Sequence, residues 1–414
     1  MTIEEIAKTI KNAGGNLYLV GGAVRDKIMK RQINDEDYCI TGITGEEFIQ
    51  LFPQAKTQGK FFEVFILENK EFALARTERK TGTGHRNFEI ITNKNITIEE
   101  DLSRRDISIN AIAQDVLTKE IIDPFNGIKS IEEKVLRAVT DKFKEDPLRV
   151  YRVARFAAEL EFTVEKRTLN LINSLREELL TLSKERVFVE LRKALKTNKP
   201  SIFFEVLREA NVLDVHYKEI YDLIGALQPE KYHPEGDSFN HTMIALDNSA
   251  KITKDEKIRF CALVHDIGKG TTPKEMYPHH YGHDVRGVEP LRQLAKRIGI
   301  PEEWKKSSIT AIKEHMKGGI FYKMTIPKQV SFIERVSKSR LGLEGLQTVV
   351  YADRARNDET NIKNEEYNFA SIGKKMLEEI NGKYIEEKYK IEPSKEFGQK
   401  LHQERVAWLK NEIK

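Results

Sequence analysis

The sequence predicts an α+β protein, with strands and helices mixed over residues 1–140 and helices alone thereafter. Two observations carry this. Short apolar runs, LYLV (17–20), YCIT (38–41), FFEVFIL (61–67) and EFALA (71–75), mark strands in the first part. From Glu145 onward, EDPLRVYRVARFAAEL, RTLNLINSLREELLTL, ERVFVELRKAL and IFFEVLREANVL space their apolar residues at helical intervals. The opening stretch MTIEEIAKTIKNAGG places Ile3, Ile6, Ala7 and Ile10 on one face of a helix. LYLV then ends in Gly21-Gly22 before a helical AVRDKIM, which reads as strand, tight turn and helix, and a further helix is predicted at 45–52.

A chain of 414 residues, 39% hydrophobic and 32% charged with 12 Pro and 24 Gly, has an ordinary globular makeup and can bury at least one full core. Disordered, fibrous and repeat-built classes are excluded. Lys and Arg (69) barely outnumber Asp and Glu (65), and a net charge of +4 does not by itself predict a nucleic-acid partner. Cys39 and Cys261 lie far apart in a chain that needs no stapling, so a reducing compartment is expected. The start lacks a signal-peptide pattern, and no apolar run approaches the roughly 20 residues of a membrane helix. A soluble, cytoplasmic protein without a membrane partner is expected, and monomer and homodimer both stay open.

Two Pro- and Gly-containing stretches interrupt the helical part, QPEKYHPEGD (228–237) as a boundary and TTPKEMYPHHYG (271–282) as a loop within a domain. The expected division is a head (1–140), a helical neck (141–227), a histidine-rich domain (228–360) and a helical tail (361–414).

The first chemical constellation is in the head. Asp35 and Asp37 are spaced i, i+2 ahead of YCIT, so on a strand their carboxylates would share a face. Such a pair suits Mg2+, which prefers one or two carboxylates plus substrate phosphates. Upstream, Gly21-Gly22 leaves backbone amides bare at a helix start, and Arg25 lies one turn along, an arrangement that suits a triphosphate.

LVGGAVRD followed by the Asp-x-Asp pair resembles the head of the class II tRNA nucleotidyltransferase and bacterial poly(A) polymerase superfamily, related to DNA polymerase β. The resemblance continues through EFALARTERKTGTGHRNFE, EDLSRRDISINAIA, DPFNG and EDPLRVYRVARFA. It implies a polymerase-β-like mixed sheet, Asp35 and Asp37 as metal ligands, Glu71 as a third acid, and Gly22, Arg25 and Arg105 on the nucleotide. Thr77 to Asn87 matches the family's flexible loop.

In EDPLRVYRVAR, Asp146, Arg149, Arg152 and Arg155 recur every third residue, so a helix would carry them as one sloping stripe. A carboxylate beside a guanidinium offers acceptor and donors in one plane. Cytosine and adenine both present an amino group next to a ring-nitrogen acceptor, whereas guanine and uracil reverse that pattern. Asp146 and Arg149 could therefore admit CTP and ATP and refuse the other two. The resemblance implies the same for Glu145, Asp146 and Arg149, with Arg152 and Arg155 as further nucleotide contacts.

Seven of the ten histidines fall between 233 and 315. FNHTM carries His241, LVHDIGKG carries His265 and Asp266, HHYGH carries His279, His280 and His283, EHMKGG carries His315, and YADRAR adds Asp353. Imidazole and carboxylate ligands suit a divalent transition metal or a mixed di-metal site, and His265-Asp266 on a buried apolar helix would be costly without such a partner. His241, His265, Asp266, His315 and Asp353 form the expected set, with His279, His280 and His283 as further candidates; Lys269 could hold phosphate. The ordered series resembles the HD phosphohydrolase superfamily, which implies Ni2+, another divalent transition metal or Mg2+.

Over nearly its whole length the chain resembles the multifunctional bacterial CCA enzymes. That resemblance implies CCA addition to the tRNA acceptor end from CTP and ATP, joined to 2′,3′-cyclic phosphodiesterase, 2′-nucleotidase and phosphatase activities. An A-adding enzyme or poly(A) polymerase is the nearest alternative, and an HD hydrolase with an inactive head is another. The tRNA would be held by basic helical runs such as 184–199 and 294–299 acting together.

Overall fold

In the computed structural model, which describes residues 1–33, 35–58, 64–80, 88–231, 233–355 and 367–413, α1 (Ile3–Asn12) starts at a capping box between Thr2 and Glu5. Its buried residues are Ile6, Ala7 and Ile10, as the spacing predicts. β1 (Asn16–Val20), α2 (Gly22–Ile28), β2 (Asp37–Thr41) and α3 (Gly45–Leu51) follow. Next come β3 (Lys56–Gln58), β4 (Val64–Leu67), β5 (Lys70–Leu74), β6 (Arg76–Lys80), β7 (Phe88–Thr92) and α4 (Ile98–Ser103). β8 (Ala113–Asp115), β9 (Ile121–Ile122), α5 (Gly127–Glu132) and β10 (Val135–Leu136) complete the strand-rich part. Capping boxes also open α3, from Thr44 to Glu47, and α4, from Thr97 to Glu100.

Among the described residues the main sheet has seven strands in the order β3-β4-β5-β2-β1-β8-β9. It is mixed, because β2 and β5 run parallel while β1 pairs antiparallel with β2 and β8. Strand alternation divides two cores. Leu17, Leu19, Ile40, Phe65 and Phe72 pack with Phe48 and Phe52 and with the buried side of α1. Val20, Cys39 and Ala113, on the other face, pack with Ile98 and Leu102 of α4. The expected loop at 77–87 begins within β6, which pairs antiparallel with β7; residues 81–87 lie outside the described residues, as do 61–63 of the predicted third strand.

α6 (Arg149–Leu160), β11 (Thr163–Val164), α7 (Lys166–Ser174) and the start of α8 (Lys184–Leu195) finish the first of two units, Met1–Val187 with Glu209–Val212. The helix expected from Glu145 begins later. Asp141–Glu145 form a 3-10 turn and Asp146 is extended, because the residue before a proline, here Pro147, is sterically driven out of the α region. Asp146 therefore does not share a helical stripe with Arg149, Arg152 and Arg155.

The second unit, Phe188–Arg208 with Leu213–Lys414, is helical. It adds α9 (Ser201–Glu209), α10 (Leu213–Tyr221), α11 (Ser238–Ile252), α12 (Glu256–Val264), α13 (His283–Arg286), α14 (Val288–Ile298) and α15 (Glu302–Gly318). α16 (Ile326–Ser337), α17 (Gly342–Arg354), α18 (Phe369–Glu379), α19 (Gly382–Tyr389) and α20 (Lys395–Glu412) follow. α11 packs on α12 and α17, and α12 on α15, around a core that includes Cys261, Ala311, Phe332, Leu346 and Val350. Arg259 is wholly buried, and its guanidinium donates to the carbonyls of Leu195, Thr197, Ala250 and Thr253. That satisfies the charge without a carboxylate and pins α12 to the segment after α8. Cys39 and Cys261 are both buried and free. No described helix is long and apolar enough to cross a membrane.

Candidate active sites

In the head, Asp37 is the first residue of β2 and the direct cross-strand partner of Glu71 on β5. Register-paired residues on neighbouring strands project to one face, so these two acids rise together, while Asp35 is exposed in the segment before the strand. Among the described residues no three head carboxylates come within 4.8 Å of one another. A cleft of about 220 Å³ is lined by Asp37, Glu71, Arg76, Asp101, Arg104 and Arg105 among others. Burial raises the Asp37 carboxyl above its ordinary value, with Arg105 opposing and Asp35 adding to the rise. Two acids and an arginine-rich wall fit a divalent ion together with an anionic substrate.

The arginines are positioned by Asp101, which sequence reasoning missed. It is buried, accepts from Arg104 Nε at 3.0 Å and the Arg76 amide at 3.3 Å, and reaches Arg105 Nη2 at 3.4 Å. Burial works against its charge, but Arg104 and Arg105 outweigh it and hold the carboxyl below the usual range. Arg105 Nε is buried with no hydrogen-bond partner, a donor left over for a ligand. Gly21 has φ 71°, and a Cβ there would lie 2.6 Å from Arg105 Nη1, so the bare turn lets that guanidinium lie over it.

Arg25 and Gly22 do not line this cleft. Arg25 is buried, bonded to Asp26 and, at 2.8 Å, to Asn110 Oδ1. Asn110 in turn donates to Asp106, which takes Arg152 Nε at 2.8 Å. Phe156 lies under the guanidinium groups of Arg25, Arg152 and Arg155, and Arg155 also pairs with Glu159 at 2.7 Å. The anions that the arginine stripe requires are thus partly supplied by the chain itself. Arg149 is buried and donates to the carbonyls of Lys142 at 2.8 Å and Arg104 at 2.6 Å, tying the start of α6 to the cleft wall. Asp146 is only partly buried; it accepts from the Leu148 amide and pairs with Arg186 at 3.0 Å. Arg186 Nη1 is buried without a partner, and Arg186 was legible only as one member of a basic run.

In the second unit, three groups of ligand atoms each fall within 4.8 Å: His241, His265, Asp266 and Asp353; Asp266, His283 and His315; and, behind His241, His233, Glu235 and His241. Asp266 belongs to the first two. Its Oδ2 faces His265 Nε2 at 3.3 Å, and its Oδ1 faces His283 at 3.1 Å and His315 at 3.3 Å. Asp353 reaches His241 Nε2 at 3.0 Å and His265 Nε2 at 3.4 Å.

The imidazole tautomers are set from behind. Nδ1 of His265 faces the Ala262 carbonyl, that of His283 the His280 carbonyl, and that of His315 the carbonyls of Ala311 and Ile312. His241 Nδ1 lies 2.8 Å from Glu235 Oε1. A proton donated outward from each Nδ1 leaves each Nε2 facing inward as a ligand atom. His265 Nε2 and Asp266 Oδ1 are buried, and their contacts to the neighbouring carboxylates and imidazoles have no hydrogen-bond geometry; together with the donor set they fit divalent metal. Burial penalises charge throughout, yet Asp266 and Asp353 outweigh it and lift His265 to about 10. Both carboxyls are held well below their ordinary value, Asp266 by Lys269 and His265 and Asp353 by His241 and His265, against the burial that would raise them.

Of the further candidates, His283 joins the cluster. His280 does not: it is buried, with Nδ1 at Thr272 Oγ1 and Nε2 at the Leu227 carbonyl, both at 2.9 Å. His279 is exposed at the pocket mouth. Lys269 is bound by Asp266 Oδ2 at 2.5 Å and Gln228 Oε1 at 2.6 Å, so its ammonium is engaged within the chain. A Cβ on Gly268 would lie 2.1 Å from the His283 carbonyl; only glycine lets this turn approach α13. Gln228 and Glu235 both come from the stretch read as a boundary.

Residues 17–137 match the poly A polymerase head domain, 161–223 the RNA and SrmB binding site of polymerase A, and 238–347 the HD domain. Fold and site together define a nucleotidyltransferase head joined to an HD phosphohydrolase domain. The chain is 45% identical over 306 residues to the multifunctional CCA protein of Shewanella frigidimarina, covering 72% of this chain and 73% of that protein. It belongs to the multifunctional CCA protein family. Its fold is that of a CCA-adding enzyme solved in complex with CTP (TM-score 0.67, 18% identity, 98% of this chain and 90% of that one). It is likewise that of the Thermotoga maritima CCA-adding enzyme complexed with tRNA (TM-score 0.64, 17% identity, 97% and 89%).

Proposed function

We propose that the head adds CCA to the 3′ end of tRNA from CTP and ATP without a nucleic-acid template, and that the HD domain hydrolyses phosphoesters at damaged RNA ends. The observation that carries this is the coexistence of two separate ligand-bearing centres in a chain 45% identical to a multifunctional CCA protein. Head (1–140), neck (141–227), HD domain (228–360) and tail (361–414) are the working division.

Asp35, Asp37 and Glu71 are assigned to Mg2+ and the reacting phosphates, with Arg105 serving the triphosphate from the cleft wall and Gly22 and Arg25, which lie off that wall, serving it through the turn at Gly21 that Arg105 covers. The metal, when bound, neutralises phosphate charge. Asp146 and Arg149 read the base edge, and Arg152 and Arg155 hold the wall behind it. Support comes from Arg149, whose two carbonyl partners fix its plane before any nucleotide arrives.

In the HD domain, His241, His265, Asp266, His283, His315 and Asp353 are assigned to Ni2+, another divalent transition metal or Mg2+, with 2′,3′-cyclic phosphates, 2′-nucleotides and other phosphomonoesters as substrates. An ion held there supplies an activated water. A tRNA substrate and two free cysteines support a cytoplasmic location.

The deciding experiment is incubation with Mg2+, CTP, ATP and tRNA ending at position 73, followed by sequencing of the product 3′ end. Addition of C, C and A is expected. Addition of A alone assigns the chain to A-adding or poly(A) enzymes instead, and no addition leaves only the HD activity.

A further inference from the structure

Tyr281 is 70% exposed and stacks on His279, with ring centroids 5.4 Å apart and planes 21° from parallel. Both rings line the pocket, about 360 Å³, that also holds Asp266, His283, His315 and Asp353. The segment carrying them is anchored. His280, which lies between them in sequence, is buried against Thr272 and the Leu227 carbonyl. Arg286 donates to the Tyr281 carbonyl and, at 2.9 Å, to Thr272 Oγ1. A flexible loop could fold an aromatic ring away from water; this one is fixed by its backbone with the rings outward, forgoing the stabilisation that burial would bring.

A planar apolar face at the rim of a pocket with metal-type ligands on its wall matches a molecule planar at one end and phosphorylated at the other. We propose that Tyr281, backed by His279, is the platform on which the nucleobase of the HD-domain substrate stacks. Among the phosphoesters the centre cleaves, those that carry a base, whether free nucleotides or the last nucleotide of an RNA, then bind better than those without one. Every base has a π face, so the platform selects for a base without choosing among bases. This rests on the reading that the HD centre hydrolyses phosphoesters.

The test compares the full-length wild type with Tyr281→Ala and Tyr281→Phe on three substrates in the presence of Ni2+ or Mg2+: 2′,3′-cyclic AMP, a short RNA ending in a 2′,3′-cyclic phosphate, and glycerol 1,2-cyclic phosphate, which has no base. Tyr281→Ala is expected to lower kcat/KM on the nucleotide substrates about tenfold, mainly through KM. Tyr281→Phe should keep the wild-type value, and glycerol cyclic phosphate should be cleaved alike by all three proteins. A fall on only one of the nucleotide substrates identifies the source of the base. An equal fall on all three substrates, or none on either nucleotide, overturns the platform. Calorimetric binding of 2′-AMP separates this from the underlying reading. Weaker binding by Tyr281→Ala in a protein that hydrolyses nothing would reject the reaction and keep the platform, whereas hydrolysis with unaltered 2′-AMP binding would reject the platform alone.

Discussion

Glu71 stands directly across the parallel β2–β5 pair from Asp37, so two acids thirty-four residues apart in sequence share one face of the head sheet through strand register. Removing either carboxylate should disable phosphate neutralisation without disturbing the core. Asp37→Ala and Glu71→Ala are expected to lower CCA addition on the order of 10²–10³-fold, while cleavage of 2′,3′-cyclic AMP is unchanged. Incorporation of labelled CTP and ATP into truncated tRNA checks this, and near-wild-type addition by Asp37→Ala would refute the ligand assignment.

The mirror experiment uses Asp266, shared by two of the three ligand groups of the second unit. Asp266→Asn keeps the volume and removes the charge that faces four histidines and Lys269. Phosphohydrolysis should be lost and bound divalent metal should drop on mass-spectrometric assay, with CCA addition intact. Loss of both activities in a folded variant would point to one shared centre.

Glu235 offers a subtler test, because it touches a ligand and not the substrate. Its carboxylate takes the outward face of His241 at 2.8 Å and also holds His233 at 3.0 Å. Glu235→Gln should weaken divalent-metal affinity about 10–100-fold, the usual consequence of losing such support. Added metal should restore much of the hydrolytic rate. An unchanged metal affinity would show that Glu235 does not orient His241.

The sequence makes the histidine and aspartate cluster of the second unit legible because its members sit in short motifs of unusual residue types, and the strands and most helix faces follow from periodicity. What stays hidden depends on long-range register. Asp101 and Asp106 look like ordinary acids in EDLSRRD, and only folding shows that one gathers Arg104 and Arg105 while the other holds Arg152. Glu235 and Gln228 lie in a Pro- and Gly-rich stretch that resembles a boundary. The stripe from Asp146 to Arg155 failed for a local reason that was visible, since Pro147 bars Asp146 from the helix.

Asp106 also makes stability depend on acidity. Burial would raise its carboxyl, but Arg152 and Arg149 outweigh burial and hold it at about 2, below the ordinary 3.8. A depressed folded value means stability present above pH 4 and lost as pH falls from about 4 towards 2. The gap corresponds to about 2 kcal/mol. Urea unfolding at pH 6 and pH 3 should show the wild type losing more stability than Asp106→Asn over that interval; parallel losses would remove Asp106 from the account.

Base choice is tested at Asp146, whose carboxylate is partly exposed, held by the Leu148 amide and Arg186. Asp146→Ala removes the acceptor assigned to the amino group shared by cytosine and adenine. Discrimination against UTP and GTP should then fall more than total activity, since a site built to hydrogen-bond its ligand rejects analogues by as much as about 10⁴–10⁵. Arg152→Ala is the control. It removes the ion-pair partner of the buried Asp106 carboxylate and should lower stability and the use of all four triphosphates alike. The measurement is kcat/KM for each triphosphate on one tRNA acceptor. Unaltered ratios in Asp146→Ala, however poor its overall rate, would reject the protein edge as the reader of the base.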